Sequence, residues 1–154
     1  MQTNLSTLSR RDAVKAAVWA LAAAAIAPRL AFADEKAVAA EIKKLYGDKP
    51  MASGKIKLDV PEIAENGLVV PINIEVESPM TDADYVKAVH VFAEGNPLPG
   101  VVSYQFTPAC GKASAATRMR LAQTQDIICI AEMSNGTLHT AKANIKVTIG
   151  GCGG

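Results

Sequence analysis

Three observations indicate an all-β sandwich. From Gly54 onward apolar residues recur with a period of two, turn-forming clusters interrupt them at even spacing, and the segments between are rich in Val and Ile. Alternation turns one face of each segment to a core and the other to water, and many short strands separated by turn chemistry build a sandwich or barrel. About seven strands within roughly a hundred residues fit an immunoglobulin-like β-sandwich, although a small barrel gives a similar pattern.

A short helix precedes the strands. Between Asp34 and Gly47, Val38, Ile42 and Leu45 fall at i, i+4 and i+7, which puts them on one face. Glu35 and Glu41 precede Lys43 and Lys44 in the order the helix dipole favours, Gly47 is a C-terminal stop, and Pro50 excludes continuation. The strands follow as Lys55 to Val60, Leu68 to Glu77, Tyr85 to Ala93, Val101 to Phe106, Ala115 to Ala122, Asp126 to Met133 and Leu138 to Ile149. Between them stand Glu65-Asn66-Gly67, Ser78-Pro79, Gly95-Asn96-Pro97, Pro99-Gly100 and Ser134-Asn135-Gly136. Asn135-Gly136 is the strongest hairpin signal, because both residues tolerate positive φ. The last strand alternates Ala143, Ile145, Val147 and Ile149 against Lys142, Asn144, Lys146 and Thr148, and runs directly into a glycine-rich tail.

The chain has 154 residues, 49% hydrophobic and 5% aromatic, with a formal charge of +1. That length suits one domain, or one domain with an appendage. A charged fraction of 20% argues against disorder, and near-neutrality argues against nucleic acid as a partner. The balance is uneven along the chain. Setting aside Arg10, Arg11, Lys15, Arg29 and Asp12 leaves 12 basic against 14 acidic residues in the remainder.

Residues 1–33 read as an address. Ser9-Arg10-Arg11 opens a basic stretch, a nearly unbroken apolar run from Ala16 to Pro28 follows, and Ala31-Phe32-Ala33 forms a small-x-small cleavage site. The paired arginines point to the twin-arginine export route, with Ala13 where that signal prefers Phe. The apolar run is too short to cross a bilayer, which takes about 20 residues, so no membrane span is expected in the mature form. The expected mature protein starts at Asp34 and works in a periplasm, with a domain over 34–149 and an arm over 150–154.

Export changes the meaning of the cysteines. Cys110, Cys129 and Cys152 are three, so at least one is left over in a compartment where disulfides persist. Cys152 stands in Gly150-Gly151-Cys152-Gly153-Gly154. Glycine loses the most backbone freedom on ordering, so this composition predicts a mobile arm. Extended, it places the thiol roughly 10 Å beyond Ile149. A slim arm can enter a narrow channel that the sandwich cannot. Nothing beside Cys152 activates its sulfur, which suits a carrier whose chemistry is supplied by other proteins. The competing readings are a frayed terminus and a thiol that cross-links two subunits.

The glycine-flanked cysteine beyond an exported β domain resembles the SoxY family, thiosulfate-oxidation carriers of sulfur-oxidising bacteria. The resemblance extends to Phe92-Ala93-Glu94-Gly95-Asn96-Pro97, Thr117-Arg118-Met119-Arg120-Leu121-Ala122, Ala131-Glu132-Met133-Ser134-Asn135-Gly136 and Val147-Thr148-Ile149. It implies a heterodimer with SoxZ and covalent transport of sulfur intermediates on Cys152, with no other cofactor. It implies a non-catalytic chain that visits a c-type cytochrome enzyme, a sulfate-releasing hydrolase and, in some organisms, a sulfur dehydrogenase. Cys110 and Cys129 are no part of that family's motif. Their pairing would close a loop of about 20 residues worth roughly 3 kcal/mol; the alternative is two separate thiols, Cys129 acting as a small core hydrophobe in Ile127-Ile128-Cys129-Ile130.

Other constellations are weaker. His90 and His139 lie on strands without ligand spacing to a cysteine or carboxylate, so structural roles are expected and no metal. Asp82 and Asp84 read as a solvated turn, and Arg118 and Arg120 as a solvent-facing pair. The alternative function is an exported adhesion or scaffold module cross-linked through a disulfide dimer at Cys152. A metal chaperone ranks last, since one thiol is a poor metal site.

Overall fold

The computed structural model describes residues 34–150. Helix α1 spans Glu35–Tyr46. The strands are β1 Met51–Ser53, β2 Ile56–Asp59, β3 Ile63–Ala64, β4 Val70–Val76, β5 Val86–Ala93, β6 Gly100–Gln105, β7 Ala113–Met119, β8 Gln125–Met133 and β9 Leu138–Val147. They form two sheets. The larger runs β1-β9-β8-β5-β6, with β3 also on β9, and the smaller runs β2-β4-β7. This is the sandwich that the alternation predicts. The additions are β1 and β3, both parallel to β9. At three and two residues they are too short to show a period.

α1 is closed at both ends as its residues dictate. Asp34 Oδ1 accepts from the Ala37 N–H at 2.9 Å, filling one of the free donors of the first turn. Gly47 takes φ 67° and donates to the Lys43 carbonyl, a position where a side chain would be strained. The buried row is Val38, Ile42 and Tyr46; Leu45, expected to face inward, is 45% exposed. The Tyr46 ring wins that place because it meets His90 edge-on at 5.8 Å and packs into the cluster of Val38, Phe92, Ile130 and Leu138. The helix thereby covers the outer face of the larger sheet.

The main core lies between the sheets. Ile72, Ile74 and Val76 from β4 meet Val89 and Val91 from β5, Ile127 and Cys129 from β8, and Ile145 from β9. The buried pattern of β4 alternates along the strand, while β5 and β8 bury residues of both faces because the helix closes their far side. Each fully buried Ile or Leu contributes about 1.5–3 kcal/mol. Asn135-Gly136 makes the expected hairpin between β8 and β9, with Gly136 at φ 81° and the Met133 N–H donating to the Thr137 carbonyl.

The root of the C-terminal tail

β9 delivers the chain to its tail, and its end is tied down from three sides. The Lys146 N–H donates to the Glu62 carbonyl at 2.9 Å and the Thr148 N–H to the Ala64 carbonyl at 3.1 Å. Thr148 Oγ1 donates to the Glu65 carbonyl at 2.9 Å, and Thr124 Oγ1 accepts from the Val147 N–H at 3.0 Å. The Ile149 carbonyl accepts from the buried Gly67 N–H at 2.8 Å, and the Gly67 carbonyl accepts from the Leu121 N–H, also at 2.8 Å. Around this point Ile63, Leu68, Val69 and Ile149 are all exposed apolar side chains.

The segment 120–125 is held in turn by two amides. Asn96 Nδ2 donates to the Arg120 carbonyl at 2.9 Å and Asn96 Oδ1 accepts from the Ala122 N–H at 3.0 Å. Gln125, a buried polar side chain, donates through Nε2 to Asn96 Oδ1 and accepts at Oε1 from the Gly95 N–H. Beside it Lys142 bridges Glu94 at 3.1 Å and Asp126 at 2.8 Å. Lys142 and then Asn144 hold the Asp126 carboxyl below the usual range by hydrogen bonding. A shallow groove flanks the same segment, lined by Asn96, Leu98 and Val102 on one side and Arg118, Met119 and Arg120 on the other.

Cys152, Gly151, Gly153 and Gly154 lie outside the described residues, as does the export segment 1–33. Gly150, expected as the first residue of a free arm, sits against the body: a Cβ built on it would collide with the Ala122 carbonyl. Cys110 and Cys129 do not form the disulfide weighed from the sequence; both are free thiols. Cys129 faces the core between the sheets, whereas Cys110 ends the exposed 3-10 turn Pro108–Cys110 that leads into β7. Burial pushes the Cys129 thiol up to about 12, while the Thr107 backbone and hydroxyl hold Cys110 below its ordinary value.

His90 and His139 lie on β5 and β9. His90 Nδ1 pairs with Ser103 Oγ at 2.8 Å. Among the described residues no group of three His, Cys, Asp or Glu side chains is placed to hold a metal, and no helix is long and apolar enough to cross a membrane. Sequence reasoning missed Asn96 and Gln125. Asn96-Pro97 reads as a turn, and nothing local shows that its amide spans to residues 120, 122 and 125.

The fold and the ties on residues 146–150 define a two-sheet β-sandwich whose last strand is anchored by backbone bonds to the loop before β4. Comparison with known proteins narrows this class to one family. The model of the sulfur oxidation protein SoxY matches residues 42–152, and the chain belongs to the SoxY family. Its structure is similar to that of the sulfur carrier protein SoxY from Chlorobium limicola f thiosulfatophilum, with TM-score 0.62 and 29% identity, covering 74% of this chain and 98% of that one. A superoxide reductase (neelaredoxin) from Ignicoccus hospitalis shares the fold at TM-score 0.55 and 18% identity, covering 77% of this chain and 95% of that one. No curated protein sequence matches the chain.

Proposed function

We propose that this chain is a periplasmic sulfur carrier that holds thiosulfate-derived intermediates on Cys152 and is not itself the catalyst. The observation that carries this reading is the reach of the family match, which runs through residue 152 and so includes the glycine-flanked cysteine of the tail sequence. Two steps define the cargo. Oxidative conjugation joins the Cys152 thiolate to the outer sulfur of thiosulfate, forming one S–S bond and releasing two electrons to a c-type cytochrome enzyme. Hydrolysis then breaks the bond between that outer sulfur and the sulfonate; water supplies the fourth oxygen of sulfate, and a persulfide stays on Cys152 with two protons released. A sulfur dehydrogenase can oxidise that persulfide further, after which a second hydrolysis restores the thiol.

The resemblance supports SoxZ as the stable partner and the twin-arginine segment supports export. Intact mass with peptide mapping, on protein isolated from its host during growth on thiosulfate, tests the reading. Reductant-labile sulfur adducts confined to the Cys152 peptide are expected, and Cys152→Ser should abolish thiosulfate-dependent respiration with the fold intact. A tail thiol found only free or disulfide-dimerised during active turnover would overturn it in favour of a cross-linking module.

A further inference from the structure

We infer that Gly150 is the fixed root of the arm and not its first moving part, and that Asn96 is the positioning residue that holds the shelf it rests on. This rests on the carrier reading of Cys152. At Gly47, Gly54, Gly100, Gly111 and Gly136 an added Cβ would meet nothing within 4 Å. At Gly95 it would press mainly on the Gln123 side chain, at 2.9 Å from Nε2. At Gly150 the obstacle is backbone, the Ala122 carbonyl, which cannot swing aside. Glycine is required there for close approach, whatever its contribution to flexibility.

The shelf is a closed circuit. Asn96 brackets Leu121 by bonding the Arg120 carbonyl and the Ala122 N–H. The Leu121 N–H donates to Gly67, the Gly67 N–H donates to Ile149, and Gly150 returns to Ala122. The Gly67 N–H fixes the Ile149 carbonyl and with it the planar peptide that carries Gly150, so moving Gly150 requires breaking that bond or leaving the Ala122 shelf. The Cα of a residue two beyond a fixed point is limited to about 7 Å from it, less than an arm free from Ile149 would reach. The body thus decides where the cargo is offered, and an enzyme must bring its channel to that point.

The test uses the full chain with Cys110→Ser and Ser114→Cys, nitroxides on Cys152 and on position 114, and pulsed-EPR distances on unloaded protein. Clearing the Ala122 carbonyl to ordinary contact moves the root by about 1 Å, so Gly150→Ala should shift or broaden the distance distribution. Gly151→Ala should leave it as in the parent. Asn96→Ala should reproduce the Gly150→Ala change, which keeps the test decisive if Gly150→Ala does not fold. A body pair, Ser53→Cys with Ser114→Cys in a Cys110→Ser, Cys152→Ser background, should be unmoved by either variant. Equal distributions for parent and Gly150→Ala, or for Gly150→Ala and Gly151→Ala, would overturn the inference, as would an Asn96→Ala distribution matching the parent. Because the distances are read without sulfur, they stand or fall separately from the adduct experiment.

Discussion

Gln125 Nε2 donates to Asn96 Oδ1 over 3.0 Å, joining the first residue of β8 to the loop between β5 and β6. The same nitrogen donates to the Gln123 carbonyl at 3.1 Å, and Oε1 accepts from the Gly95 N–H at 2.7 Å. Both ends of a side chain only 6% exposed are thus satisfied. A buried amide of this kind is costly when half-paired and specific when complete.

Replacing it should therefore be felt. Gln125→Ala leaves the Gly95 N–H and part of Asn96 without partners, and stability should fall by about 1–3 kcal/mol. Chemical denaturation should show a lower midpoint with an unchanged slope. A midpoint equal to the parent's would mean that solvent replaces the amide without penalty.

The two described thiols should differ sharply towards alkylating reagents. Reaction proceeds through the thiolate and requires access. Cys110 is exposed and held below its ordinary range by Thr107, whereas Cys129 is fully buried and pushed up to about 12. Iodoacetamide at pH 8 should modify Cys110 in the native protein and Cys129 only after unfolding, as read by peptide mass. Equal labelling of both would place Cys129 outside the core.

Tyr46 offers a change in the opposite direction. Its hydroxyl is buried without a hydrogen-bond partner, and burial first, then Glu132, raises its pKa to about 12. Tyr46→Phe keeps the ring against His90 and removes an unpaired polar group. Its stability should match or exceed the parent's, by up to about 1 kcal/mol. A loss beyond that size would reveal a partner for the hydroxyl.

His90 should make stability depend on pH. Burial lowers its folded-state pKa, only partly opposed by Glu132. The unfolded chain then takes up the proton first, so the contribution is fully present above about pH 6.5 and is lost as pH falls through the folded value. Denaturation midpoints should fall between pH 7.5 and 5.5, and His90→Gln should flatten that slope. An identical slope in the variant would assign the dependence to other groups.

Most of the fold was legible because it is written in periodicity. The seven longer strands, the capped helix and the Asn135-Gly136 hairpin each depend on residues within one turn or one strand. Leu45 and Tyr46 show where local reading stops: both lie near the apolar face, and only the aromatic cluster on the sheet decides between them. The tail cysteine was legible from composition. Its root was not, because Asn96, Gly67 and Ala122 are far apart in sequence and meet only when the sandwich closes. Gly150 reads as one flexible glycine among four, and only the Ala122 carbonyl distinguishes it.

The parallel strands β1 and β3 give β9 neighbours on both edges, β8 being antiparallel along most of its length. A pull on β9 from its C-terminal end would run along the axis of that strand. Inter-strand hydrogen bonds lie across that axis, so tension shears many of them together and cannot open them one by one. The last strand is thereby held against a lengthwise pull by bonds that must fail together.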